Sequence, residues 1–336
     1  MKINEEGINL KPRKKLWGTL LGMILAVTIT AGCSSPQTQV EYPTKPIKVI
    51  VPLAAGGGAD ILARTVAKYS PLEQPMVVVN LPGGSTVIGT MEAYNSPADG
   101  YTLLCANPDA MMAVYLGGTM TTPAWKDMEP LATLVYDGNV VAVSKDSKFH
   151  TMQDVIDFAK KNPGKLTWGS AGSKGYLEQV SAEIWEKAGG LQIKYVPFDS
   201  TVTARTAAMG GHVDILFGAV SEVVPGARSG DLRPLAVSTA QRSGLLPDTP
   251  TLKELGIDID TGLHRGFMAP PNTPKPVVDI LERALKEVYD NPEFLKTIEN
   301  DLYFEGQFVG AQDLKQLLED RYPIHERLVK LIGAQK

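Results

Sequence analysis

The sequence predicts an α/β protein of two domains, each built on a largely parallel sheet flanked by helices. Three observations carry that expectation. β-Branched runs alternate with glycine-rich turns and amphipathic stretches in both halves of the chain, the order that makes strand–turn–helix units. The length of 336 residues suits two domains of roughly 100–200 residues each. A composition of 43% hydrophobic and 21% charged residues is that of an ordinary folded chain. It excludes disordered, collagen-like and multi-span membrane classes.

The first segment reads as an address rather than as part of the fold. Lys2, Lys11, Arg13, Lys14 and Lys15 precede an uncharged stretch from Leu16 to Gly32. A basic region, an apolar region and small residues before a cleavage point make a secretory signal over 1–32. The apolar stretch is short for a membrane span. Thr30-Ala31-Gly32-Cys33 resembles a bacterial lipobox, in which the cysteine carries the lipid, with Thr30 where Leu is commoner. An ordinary signal anchor with an incidental cysteine is the alternative. Residues 33–41 are polar and turn-rich and would serve as a tether.

The body opens with Ile47–Leu53, a β-branched run predicted as a buried strand. Ala54–Asp60 is a glycine turn, followed by a helical pattern through Ile61, Leu62, Thr65, Val66 and Tyr69. Met76–Val79 is a second strand, Pro82–Ser85 a turn, Thr86–Tyr94 a helix and Tyr101–Ala106 a third strand. The grammar then repeats. Val140–Ser144 is a strand, and Thr151–Asp154 opens a helix with a capping box. Leu166–Trp168, Ile193–Val196 and Val213–Phe217 are strands, with helices near Tyr176–Lys187 and Thr203–Gly210. Val277, Val278, Leu281, Leu285 and Val288 share one face of a late helix, and Pro323 should kink or break the last one.

Composition also bounds the chemistry. Two cysteines exclude a disulfide scaffold and a Cys-rich metal site. His150, His212, His264 and His325 stand far apart, so no histidine-built metal site and no metal or other cofactor is expected. The leader holds five basic and two acidic residues, so its removal takes the net charge from −4 to −7. Nucleic acid is therefore not an expected partner, and an anion site would have to be built locally. Cys105 in its apolar run reads as a packing residue.

Two glycine loops, Ala55–Asp60 and Ser170–Gly175, each lie between a strand and a helix. There the backbone can approach a ligand, and the helix start offers free N–H groups with partial positive charge. Each dipole favours a carboxylate by roughly 0.3–1 kcal/mol, up to about 2 when partly buried. Pro82–Thr86 offers a third set of amides and hydroxyls. Neither loop matches a phosphate-binding P-loop or a dinucleotide fingerprint in spacing, and plain tight turns are the rival reading. Asp60 reads as a first-turn charge stabilising its own helix. Arg265 is a candidate carboxylate fork or else a surface or hinge arginine. No nucleophile elbow surrounds any serine, and Asp199, Asp214 and Glu222 read more simply as solvated or capping acids than as a catalytic pair.

The sequence resembles the extracytoplasmic solute-binding receptors of tripartite tricarboxylate transporters, the Bug family. The resemblance runs from Tyr42 to the C-terminal helices. It is carried by Tyr42–Ile47, Val51–Asp60, Asp99–Leu104, Gly169–Gly172, Val196–Phe198, Gly210–Asp214, Gly230–Val237, Pro250–Gly256 and Arg265–Pro270, in that order. It implies a two-lobed, periplasmic-binding-protein-like clamshell of type II, with 42–145 plus 262–336 as the first lobe and 146–261 as the second. It implies a small carboxylate held between the lobes, membrane transporter subunits as partners, attachment to the membrane through Cys33 and a monomeric chain. By resemblance the proximal carboxylate meets Ala55, Gly56, Gly57 and Gly58, with Gly84, Ser85 and Thr86. The distal group meets Ser170, Ala171, Gly172 and Ser173, with Phe198, Asp199, Ser200 and Thr201, while Phe217 and Gly218 close the floor. Arg265-Gly266 is similar to the branch associated with tricarboxylates. Phe198-Asp199-Ser200 departs from the family by losing a glycine and adding an acid, and His264 stands where a tryptophan is usual. A ligand sensor without transport and a secreted hydrolase or transferase are the competing functions.

Overall fold

Strands β1 (Ile47–Val51), β2 (Met76–Asn80) and β3 (Thr102–Ala106) are linked by helices α1 (Gly58–Tyr69) and α2 (Val87–Tyr94). The computed structural model describes residues 41–171, 175–198 and 200–334. Cys33 and the leader, together with Gly172, Ser173 and Asp199, lie outside the described residues. β3 leads through α3 (Pro108–Leu116) and the short α4 (Ala124–Asp127) to β4 (Glu129–Ser144), sixteen residues long. Then come α5 (Met152–Lys161), β5 (Thr167–Ala171), α6 (Tyr176–Lys187), β6 (Lys194–Phe198), α7 (Thr201–Met209), β7 (Ile215–Ala219), α8 (Val220–Arg228) and β8 (Leu232–Val237). The chain returns through β9 (Gly262–Ala269) to α9 (Lys275–Asp290), α10 (Pro292–Lys296), a π-helical turn, β10 (Glu305–Gly310) and α11 (Ala311–Ala334).

The strands are ordered β2-β1-β3-β9-β4-β7-β5-β6, with β10 and β8 added on β4. Pairing is parallel within β2-β1-β3 and within β7-β5-β6, as strand–turn–helix units require. It is antiparallel wherever β4 or β9 takes part. The sheet is therefore mixed: two parallel sets are joined by the strands that cross between them. β4 makes the change of partner within itself, with Gly138 opposite Gly262 of β9 and Asn139 opposite Ala219 of β7. The fold is α/β and two-lobed, with helices on both faces, and residues from Tyr42 onward form one compact unit.

Apolar side chains fill both faces of each parallel set. Ile47, Val49 and Val51 pack under α1 and α9, whereas Ile50 and Leu104 face α3 and α11. Trp168 is fully buried and stacks on Phe217 with centroids 5.1 Å apart. Cys105 is fully buried, with its thiol donating to the Ala59 carbonyl at 3.4 Å. α11 runs through Pro323 as one helix because its two ends are packed on different partners, α3 and α6.

Candidate ligand-binding cleft

Strand direction decides where the glycine loops meet. β1 and β3 run the same way as β4, because each is separated from it by the antiparallel β9 or by β9 and a parallel neighbour. β7, and with it β5 and β6, runs against β4. The carboxyl ends of the two parallel sets therefore face each other across the crossing strands. Ligands of open α/β sheets bind at such strand ends.

On one side stands the start of α1. Its N-cap, Gly57, makes no side-chain cap bond, and the first intrahelical donor is Ile61 N–H to Gly57 O at 3.0 Å. The amides of Gly58, Ala59 and Asp60 thus point out of the helix start. Asp60, read from the sequence as a first-turn charge for its own helix, is buried in that first turn and also ties down the loop before it. It accepts from Gly56 N–H at 2.9 Å, from Arg64 at 3.0 Å and from Asn80 at 3.0 Å. Burial would raise its pKa, but these bonds and the Arg64 charge hold it below the ordinary carboxylate range. Gly56 N–H is therefore engaged by the protein itself. Ala55 is exposed beside it.

Next to α1 is the turn before α2. Gly83, Gly84, Ser85 and Thr86 have φ of 130°, 58°, 52° and 79° in succession. Two glycines make the first half of this left-handed run free of strain. Ser85 and the β-branched Thr86 do not, and such strain persists where the surroundings hold it, typically at functional sites. Successive amides in a left-handed turn converge into an anion-binding concavity. Thr86 Oγ1 and, at the N-cap of α3, Asn107 Oδ1 are buried and without a hydrogen-bond partner.

The opposing side is more fully engaged by its own packing. Ser170 is fully buried and Ala171 half-buried at the end of β5. The Phe198 ring covers Gly169, where an added Cβ would stand 2.9 Å from Cε2. Ser200 is the N-cap of α7 and accepts from Thr203 N–H at 3.2 Å. Thr201 is buried with its methyl group over Gly218, where a Cβ would lie at 2.5 Å. Phe217, expected on the cleft floor, is fully buried in the core beneath it.

The two sides are coupled by a buried ion pair that sequence reasoning foresaw at one end only. Arg265 donates from Nη2 at 2.8 Å and Nε at 3.2 Å to one oxygen of Asp137. Asp137 also accepts from Ser221 N–H at 3.1 Å and Ser221 Oγ at 2.7 Å, in the first turn of α8. Arg265 Nη1 lies against Gly58, 3.0 Å from where a Cβ would be. Arg265 thus spends two nitrogens on Asp137 and presents the third to the α1 start. Glu222 stands beside this pair, and burial pushes its carboxyl up while Arg265 opposes the rise. Asp214 is elsewhere, bound to Thr167 at 2.8 Å, so it forms no pair with Glu222. The local signal of Asp137 in the sequence is an acid in the middle of an apolar run.

Behind the crossing strands lies a second polar group. Asp109 accepts from Arg321 of α11 at 3.0 Å and faces the ring of His264 at 3.2 Å. Tyr176 OH donates to Gly262 O at 2.8 Å, and Gln179 Nε2 to Ala113 O at 3.0 Å. Burial would raise the Asp109 pKa, but Arg321 and His264 hold it well below the ordinary range. His264 is thus a partner of Asp109, and its ring lies tilted at 50° to that of Tyr136 with centroids 4.9 Å apart.

Two opposed parallel sets joined by long crossing strands, with open helix starts between them, define the fold of a two-lobed solute-binding protein. Residues 61–334 match the model of the tripartite tricarboxylate transporter family receptor, and the chain belongs to that family. The Cupriavidus necator "UPF0065 protein in gbd 5'region" is 30% identical over 93% of this chain and 96% of its own. A TctC solute-binding protein from Polaromonas, solved without ligand, superposes with a TM-score of 0.70 at 27% identity, over 86% of this chain and 99% of that one. R. palustris Rpa4515, solved with adipate, does so with a TM-score of 0.78 at 26% identity, over 87% and 99%.

Proposed function

We propose that this chain is an extracytoplasmic receptor that captures a small carboxylate, a di- or tricarboxylate, between its lobes. It then delivers the ligand to the membrane subunits of a tripartite tricarboxylate transporter. The leader over 1–32 directs export, Cys33 carries the lipid, and the body acts as a monomer. The first lobe is 42–145 plus 262–336 and the second 146–261; β4 changes strand partner at Gly138 and Asn139, so the last residues of this first stretch, Asn139–Ser144, pair with β7 and β8 of the second lobe.

The observation that carries the reading is the strained turn Gly83–Thr86 beside the uncapped start of α1. Together they gather backbone amide donors at one place. One carboxylate seats there. The second meets Ser170–Ser173, Asp199 and the α7 start. The adipate bound by the related Rpa4515 supports an acid of this size. Two carboxylates desolvated against helix starts are consistent with micromolar binding, about −8 kcal/mol. Arg265 acts chiefly through Asp137 and adds Nη1 to the first seat.

A thermal-shift screen against mono-, di- and tricarboxylates, amino acids, sugars and nucleotides tests this. A ligand at about a hundred times its Kd adds about 2.7 kcal/mol of stability. The expected result is a rise in melting temperature with one class of acid, and no loss of that acid on prolonged incubation. A shift with sugars or nucleotides alone, or consumption of the acid, overturns the proposal.

A further inference from the structure

Among the described residues, Asn139 is the one whose chemistry is least accounted for by the fold. It lies in the interior of β4, is fully buried, and both its Oδ1 and its Nδ2 lack a hydrogen-bond partner. Asparagine is disfavoured inside a strand, and a buried carboxamide left unpaired is costly. The neighbouring positions on this stretch are occupied by small or apolar side chains, Gly138 and Val140.

Register places it. Asn139 is opposite Ala219, the N-cap of α8, and Asp137 is opposite Leu263 of β9. Side chains two apart on a strand share a side, and cross-strand partners share it too. Asn139 therefore stands on the same side of β4 as Asp137, where the strand changes partners. Asp137 in turn holds Ser221 at the α8 start and Arg265, which abuts Gly58 at the α1 start. On the far strand, Ser170 lies two residues beyond Trp168, which is opposite Ile215. The same alternation puts Ser170 on the side of Ala219 and Asn139. Ser170, Asn139, Asp137 and Arg265 thus lie on one side of the crossing, in a row of positions from one predicted loop to the other, with Ala219 and Phe217 of β7 between Ser170 and Asn139.

In that row Asp137 is saturated by Arg265 and Ser221, and Asn139 is not. A carboxamide offers two donors from Nδ2 and an acceptor at Oδ1. A bare carboxylate satisfies the donors and leaves Oδ1 unmet. A hydroxyl or ammonium group on the carbon next to the carboxylate satisfies both. We propose that Asn139 is a specificity-determining residue that reads such a donor, so the preferred ligand is a 2-hydroxy or 2-amino acid. This rests on the carboxylate reading above.

The test uses matched acids that differ only at the second carbon: succinate against malate and aspartate, and adipate against 2-aminoadipate. Calorimetric titration of the wild type should favour a donor-bearing acid over its plain partner by about tenfold or more, the loss typical when a buried polar group goes unpaired. Asn139→Leu should bring the pair within about twofold, by weakening the donor-bearing acid, with the ligand-free melting temperature kept or raised. Asn139→Asp, closer in shape, should keep an ammonium-bearing acid best and weaken the others. Equal affinity within both pairs in the wild type, or an unchanged preference in Asn139→Leu and Asn139→Asp, overturns the inference while leaving the carboxylate receptor intact. Failure of every acid to bind overturns both readings.

Discussion

Arg265 and Asp137 are each 4% or less exposed at the side chain and 2.8 Å apart. Removing one charge leaves the other buried and unpaired, a loss of about 3–5 kcal/mol. Arg265→Ala should therefore show a large drop in urea-denaturation stability, and Arg265→Ala with Asp137→Ala should cost less than the two singles together. Gly266 is set by contact. A Cβ there would stand 2.0 Å from Ala132 O and 2.4 Å from Thr133 Cα, both backbone atoms. Gly266→Ala should cost about 3 kcal/mol or more by forcing the strands apart, read from the same experiment. At this scale the sequence revealed Arg265, Asp60 and the glycines as residues worth attention. It did not reveal that Arg265 is held by Asp137, because a long-range ion pair leaves no local pattern.

The helices show how local chemistry becomes structure. Thr151 accepts from Asp154 N–H at 3.1 Å while Asp154 accepts from Thr151 N–H at 2.9 Å. This is the capping box that Thr151–Asp154 announced in the sequence. Thr151→Ala should cost about 1 kcal/mol, measurable by thermal unfolding. The outer strands β1, β2, β3, β5 and β6 were legible from their β-branched runs and bounding glycines, as were α1, α2, α6 and α9. β4 was legible only from Val140 onward, because Asp137-Gly138-Asn139 carries the residues of a turn. The strand passes straight through, and Gly138 is required there because a Cβ would meet Thr239 Cγ2 at 2.4 Å. Pro323 likewise signals a break that the packing of α11 overrides. β9 and β10 depend on pairing with β4 and carry little local signal of their own. α11 also makes a pH prediction. His325 is buried beside Gln179 and Tyr176. Burial lowers its pKa below the ordinary 6.5, Arg321 adds to that, and Asp109 and Glu183 oppose it. A depressed histidine pKa means the unfolded chain binds more protons just below pH 6.5. Stability should be complete above about pH 6.5 and fall as the pH drops below it. His325→Gln should flatten that slope in urea midpoints measured between about pH 7.5 and 5.5.

The molecule as a whole is two parallel sets of strands that cannot be separated without breaking β4 and β9. α11 adds a strap, joining Asp109 through Arg321 on one side and Glu183 through Arg327 on the other. Both lobes should therefore unfold in one cooperative transition, with far-ultraviolet circular dichroism and tryptophan fluorescence coincident in urea. Two separated transitions would show that the lobes fold independently. The central claim is that helix-start and turn amides at Ala55–Gly58 and Gly83–Thr86 seat a carboxylate. Gly57→Val tests it most directly. Gly57 has φ −80°, and its Cβ would meet only Ala54 O, at 3.5 Å, so the fold should accept the change. The valine methyls would then cover the amides of the α1 start. Calorimetric titration of both proteins with the tightest acid from the screen should show micromolar binding by the wild type and a loss of about tenfold or more in Gly57→Val, at an unchanged melting temperature without ligand. Equal affinity in the two proteins would contradict the account and remove this loop as the seat.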